Sequence, residues 1–108
     1  MQRSKVETYI GFCRKAGKLT CGFNAIAQQK KEIYLLLLCC TASENAVKDA
    51  LKLKERFGCE LLLSSQIPLE ETVGKVNCKI AAVRDRELAK AILKNTDDNF
   101  ISYSGGNR

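Results

Sequence analysis

The chain has 108 residues, 45% of them hydrophobic, enough for one domain with its own core and too apolar for a disordered segment. Its longest apolar run, residues 33–40, is far short of a membrane span, and residues 1–8 lack the apolar stretch of a signal peptide. The formal net charge of +6 arises entirely in residues 1–31, where Arg3, Lys5, Arg14, Lys15, Lys18, Lys30 and Lys31 face only Glu7, while eleven basic and eleven acidic residues cancel in 32–108.

A basic stretch confined to one part of the chain is the electrostatic footprint expected of a phosphate binder. The six cysteines include no C-x-x-C pair, and there is no histidine. Zinc coordination and Ser-His or Cys-His nucleophilic chemistry therefore lack their usual parts. A cytosolic chain with reduced thiols is expected, its cysteines acting as small apolar residues, with no cofactor and no metal.

The periodicity predicts a first helix over residues 3–16, with Val6, Tyr9, Ile10 and Cys13 on one stripe. Gly17 ends it, and residues 19–21 read as a short strand. Gly22 then opens a second helix over residues 23–30, with Ala25, Ile26 and Ala27 inward. A strand turning through glycine into a helix leaves backbone N–H groups able to hold an anion, here an RNA backbone.

The uninterrupted apolar run 33–40 reads as a strand buried on both faces, at the centre of a mainly parallel sheet. Ser43 caps a third helix that stops at Gly58, with Val47, Ala50, Leu51 and Phe57 inward and Leu53 or the Lys54 stem between them. A strand over 60–64, a short helix over 67–73 ended by Gly74, a loop over 75–78 and a small-residue strand over 79–83 follow. Asp85 caps the last helix, residues 86–94, with Leu88, Ala91 and Ile92 inward. Residues 1–95 form one domain, and the polar segment 96–108 is expected to be a flexible tail. The pairs Glu70-Glu71 and Asp97-Asp98 read as solvated surface. Alternating helices and strands predict an α/β fold, a three-layer α/β/α sandwich.

Together these stretches resemble the kink-turn-binding ribosomal protein superfamily, in particular its small bacterial YlxQ-like branch. The resemblance covers residues 6–94. It is carried by Arg14-Lys15-Ala16-Gly17-Lys18-Leu19 with Gly22, by Leu35 to Leu38, by Ala42-Ser43-Glu44-Asn45, by Leu69 with Val73-Gly74-Lys75, and by Ala81-Ala82-Val83. It implies a mixed, mainly four-stranded sheet and a non-enzymatic, ribosome-associated RNA-binding protein.

In such proteins the helix after the glycine enters the groove at sheared G·A pairs, and the loop before the fourth strand packs under a flipped-out nucleotide. Carried onto this chain, the RNA-contacting residues are Lys15, Lys18, Gly22, Phe23, Asn24, Gln28, Lys30 and Lys31, with Lys75, Val76, Asn77, Cys78 and Lys79 at the bend. The partner is a structured RNA, with ribosomal or other proteins as further partners, and the chain is expected to act as a monomer. The family pattern after the glycine is x-Asn-Glu-x-x-Lys. Asn24 matches it, whereas Ala25 and Gln28 stand at the Glu and Lys positions. That departure leaves a second expectation, a protein-interaction subunit that keeps the fold without reading G·A pairs.

Overall fold

The computed structural model describes residues 5–30 and 32–103. Five helices alternate with five strands in the order α1 (Lys5–Lys15), β1 (Leu19–Cys21), α2 (Phe23–Ala27), β2 (Leu35–Cys39), α3 (Glu44–Phe57), β3 (Glu60–Ser64), α4 (Leu69–Val73), β4 (Ile80–Val83), α5 (Arg86–Lys94) and β5 (Phe100–Ser102). The strands form one mixed sheet in the order β1-β4-β2-β3-β5. The apolar run thus supplies the central strand, and all five residues of β2 are buried.

Side chains alternate across the sheet, as strand geometry requires. Leu35, Leu37, Ala81, Val83 and Leu62 join Val6, Ile10 and Cys13 of α1, Leu69 and Val73 of α4, and Ile92 of α5 in one core cluster. Leu36, Leu38, Ile80, Ala82 and Leu61 join Ile26 of α2 and Ala50 and Leu53 of α3 in the other. Helices therefore cover both faces. The two longer capped helices begin as the sequence predicts: the Ala46 N–H donates to Ser43 Oγ over 3.1 Å, and the Leu88 N–H donates to Asp85 Oδ1 over 2.9 Å. No helix among the described residues is long and apolar enough to cross a membrane.

The structure corrects several expectations. The sheet is not mainly parallel: only β2 and β3 run parallel, while β1–β4, β2–β4 and β3–β5 are antiparallel. The direction of β4 follows from the turn before it. Helix α4 begins beside the end of β2, where the Leu69 N–H donates to Cys39 Sγ over 3.3 Å. The chain turns at Gly74 and folds back over α4 instead of travelling along the sheet. Strand β4 therefore starts where β2 ends, Ile80 opposite Leu38, and runs the other way.

The sheet has five strands rather than four, because the expected tail contains β5. Phe100 is fully buried, and Ser64 pairs with it across the ladder. Asn99 fixes the approach to β5. Its Oδ1 accepts the Gln66 and Ile67 N–H groups, each over 2.7 Å, and its carbonyl accepts the Ser65 N–H over 2.6 Å. Residues 104–108 of that expected tail lie outside the described residues.

Helix α2 ends at Ala27 rather than Lys30, and within it Ile26 alone is buried while Ala25 is exposed. One apolar anchor does not hold a longer helix onto the sheet. In α3 the buried pair is Ala50 and Leu53, with Val47, Leu51 and Phe57 half-buried around it.

Candidate nucleic-acid interface

Three chain segments meet at one end of the sheet: the end of β1, the end of β2 and the start of β4. Gly22 (φ 93°) swings the chain from β1 into α2, a backbone conformation open mainly to glycine. Its N–H donates to the Ile80 carbonyl over 2.9 Å, one step past the Cys21–Ala81 pair of the ladder. The start of α2 is thereby held at the start of β4, directly beside the loop 75–79. The Gly22 amide is spent on that bond and is not free for an anion. At five residues, α2 also has little dipole to offer. The site is therefore a ledge of side chains rather than an anion-holding helix end.

The loop is built around a carboxylate that the sequence reading placed on a solvated surface. Helix α4 ends at Gly74, which has φ 72° and whose N–H donates to the Glu70 carbonyl. The chain then doubles back over its own helix. One Glu70 oxygen accepts the Asn77 N–H over 2.8 Å, and the other accepts Lys79 Nζ over 3.0 Å. Lys79 Nζ also donates to Thr41 Oγ1 over 2.7 Å, which ties the loop to the turn after β2. Asn77 sits at φ 61°, a left-handed conformation that asparagine tolerates better than most residues.

The Lys79 ammonium, followed by the Asn77 N–H, holds the Glu70 carboxyl below its ordinary range. The sign follows directly. A depressed carboxylate supports the loop at neutral pH, and that support is lost as pH falls through its lowered value. Replacing Glu70 by glutamine is expected to speed hydrogen exchange at the Asn77 amide while leaving the unfolding midpoint nearly unchanged. Unchanged exchange would mean that the loop keeps its shape without the carboxylate.

The predicted contact residues divide into groups. Asn24, Lys75, Val76 and Asn77 are exposed on the ledge, Val76 to 81%. Lys79 is there too, but its charge is matched by Glu70. Cys78 is buried, its thiol directed at the Ile80 carbonyl over 3.6 Å, so its side chain belongs to the core and not to a binding surface. Phe23 is half-buried against the α2–α3 cluster and supports the ledge from beneath.

Lys18 lies at the other end of β4, where its carbonyl accepts the Arg84 N–H over 2.8 Å. Gln28 is exposed at the C-cap of α2, its N–H donating to the carbonyl of Asn24 over 3.1 Å, and Lys30 is exposed on the stretch that follows. Lys18 is not gathered with the loop. Lys31 lies outside the described residues. Lys15 lines a cleft of about 290 Å³ between α1 and α4, opposite Glu71 and near Gly74.

Sequence reasoning missed two residues here. Arg14 reaches from α1 to α4, its Nη1 donating to the Val73 carbonyl over 2.7 Å, and so places a guanidinium beside Gly74 and Lys75. Its place in the basic stretch before Gly17 was the available signal. Glu70 had no such signal, since its partners become neighbours only after the turn at Gly74.

No family model matches the chain, and no curated protein matches it. Among solved structures, a protein of unknown function from Bacillus halodurans C superposes with a TM-score of 0.74 at 17% identity, covering 85% of this chain and 96% of that one. That likeness shows a shared α/β fold and nothing of what either chain binds.

Proposed function

We propose that this protein is a non-enzymatic RNA-binding protein that recognises a kink-turn or a similarly bent structured RNA, on the α/β/α framework of the kink-turn-binding ribosomal proteins that its sequence resembles. The observation that carries the reading is the Gly22–Ile80 hydrogen bond. It sets the start of α2 and the loop 75–79 side by side, the two segments that such proteins use. Regular A-form helices hide their base edges in a deep, narrow groove, so structured RNA is read where it bends or unpairs. Asn24 carries an amide able both to donate and to accept at a base edge. Val76 offers an apolar tip on which an unstacked base can rest, and Lys75 with Arg14 supplies positive charge for the backbone.

A second reading has its own support. Ala25 is exposed but can make no polar base contact, and Gln28 lies past the end of α2. A chain that kept the fold while losing G·A readout would look like this and would serve as a protein-interaction subunit.

Titration of a kink-turn RNA and a straight duplex of equal length, at two salt concentrations, separates the readings. Preference for the bent RNA, weakened by salt through counterion release and reduced by Asn24→Ala, is the expected result. Equal affinity for both RNAs leaves only charge attraction, and no binding to either favours the protein-interaction reading.

A further inference from the structure

Under the ledge lies a pair of thiols to which the RNA reading assigns no chemistry. Cys21 ends β1, and Cys78 closes the loop that leads into β4. Both side chains belong to the cluster on the α1–α4–α5 face of the sheet, Cys21 through its place opposite Ala81 and Cys78 through the turn of the loop before Ile80. Their exposure differs. Cys78 is buried, whereas Cys21 is partly open and lines a cleft of about 300 Å³ with Arg14, Leu19, Val73, Gly74 and Lys75. The cleft admits a small molecule to one sulfur and keeps the second behind it, and its two cations suit a reagent bearing carboxylates.

We propose that Cys21 is a reactive thiol that exchanges with low-molecular-weight disulfides bearing carboxylates, and that Cys78 resolves the adduct into a Cys21–Cys78 disulfide. In the first step the Cys21 thiolate attacks one sulfur of the small disulfide. Its S–S bond breaks, and one thiolate leaves. In the second step the Cys78 sulfur attacks Cys21, the mixed disulfide breaks, and the second small thiol departs with the Cys78 proton. The protein dithiol is oxidised, and the small disulfide is reduced to two thiols.

The neighbouring groups favour this division of labour. The side-chain interaction with Cys78, acting against the cost of partial burial and assisted by Lys75, brings the Cys21 thiol down to about 7. Cys78 is correspondingly pushed up, first by Cys21 and then by burial. The remaining free thiols are poorer candidates. Burial pushes both Cys13 and Cys59 up to about 11, and Cys40, although exposed, is also raised. Cys39 is lowered, desolvation being outweighed by its bonds to Thr41 and the Leu69 N–H, but it is buried in β2 and out of a reagent's reach. The new bond would tie the strand entering α2 to the loop 75–79, the two halves of the ledge.

The test treats the reduced, full-length chain at neutral pH with iodoacetamide, and separately with oxidised glutathione, followed by peptide mapping. Cys21 is expected to be alkylated at least about tenfold faster than exposed Cys40, because the thiolate is the nucleophile. Glutathione disulfide is expected to yield a peptide linking Cys21 to Cys78. The Cys78→Ala variant is expected to stop at a glutathionyl adduct on Cys21, and Cys21→Ser to give neither product. Faster labelling of Cys40, or linkage between other cysteines, overturns the proposal. Should Cys78→Ala fail to fold, the wild-type rates and linkage decide alone. These readouts do not involve RNA, so their failure is separate from failure of the RNA-binding reading.

Discussion

Truncating Phe100 to alanine is expected to lower stability by about 3–5 kcal/mol, read as a shift in the urea midpoint with an unchanged slope. Phe100 is among the largest fully buried side chains and sits in the core cluster with Leu62 and Ile92. It is also the only buried residue of β5, since Ile101 and Ser102 are exposed. Removing the ring therefore leaves a cavity and takes away the one apolar anchor of the edge strand. Small domains hold only about 5–15 kcal/mol in total, so the variant stands close to the unfolding threshold. Ile101→Ala, at 43% exposure, is the control and is expected to change little. A loss below about 1 kcal/mol for Phe100→Ala would show that β5 is not part of the cooperative unit.

That strand also marks where the sequence stops being readable. Helices α1, α3 and α5 carry long apolar stripes with caps or stops at their ends, and β2 is continuously apolar, so local pattern and tertiary burial agree there. Strand β5 has three residues and one buried side chain, and it follows Asp97-Asp98-Asn99, which reads as a turn. Asp97 Oδ1 shapes the turn locally by accepting the Asn99 and Phe100 N–H groups, but what fixes the strand to the sheet is remote: the Asn99 side chain bonded to the segment after β3. Nothing within a short window announces a bond across more than thirty residues.

Strand direction was hidden for a similar reason. Burial on both faces is satisfied equally by parallel and antiparallel neighbours, and the turn at Gly74 that folds the chain back over α4 decides between them. At the site, the turn at Gly22 and its nearness to the loop 75–79 were legible. The Glu70–Lys79 clamp was not, and neither was the distance of Lys18 from the ledge, because charge counting along the chain ignores the length of β4.

The second large effect concerns binding rather than stability. Val76→Glu is expected to weaken binding of a bent RNA by about 10- to 100-fold, in line with the roughly 1.5–3 kcal/mol gained by burying a valine side chain, while leaving the unfolding midpoint unchanged. At 81% exposure Val76 has little packing to lose, and its neighbours Lys75 and Asn77 are exposed as well. On the proposed RNA reading, this apolar side chain on a loop held by the carboxylate clamp is the surface against which an unstacked base rests. Glutamate removes the apolar surface and sets a negative charge against phosphate. Val76→Ala removes the surface alone and is expected to show the smaller loss. Gel-shift titrations of both variants, alongside thermal melts, separate the contributions. If Val76→Glu binds as tightly as wild type, the loop makes no contact with RNA. If it instead lowers the melting temperature by several degrees, Val76 supports the fold and the ledge loses its apolar tip.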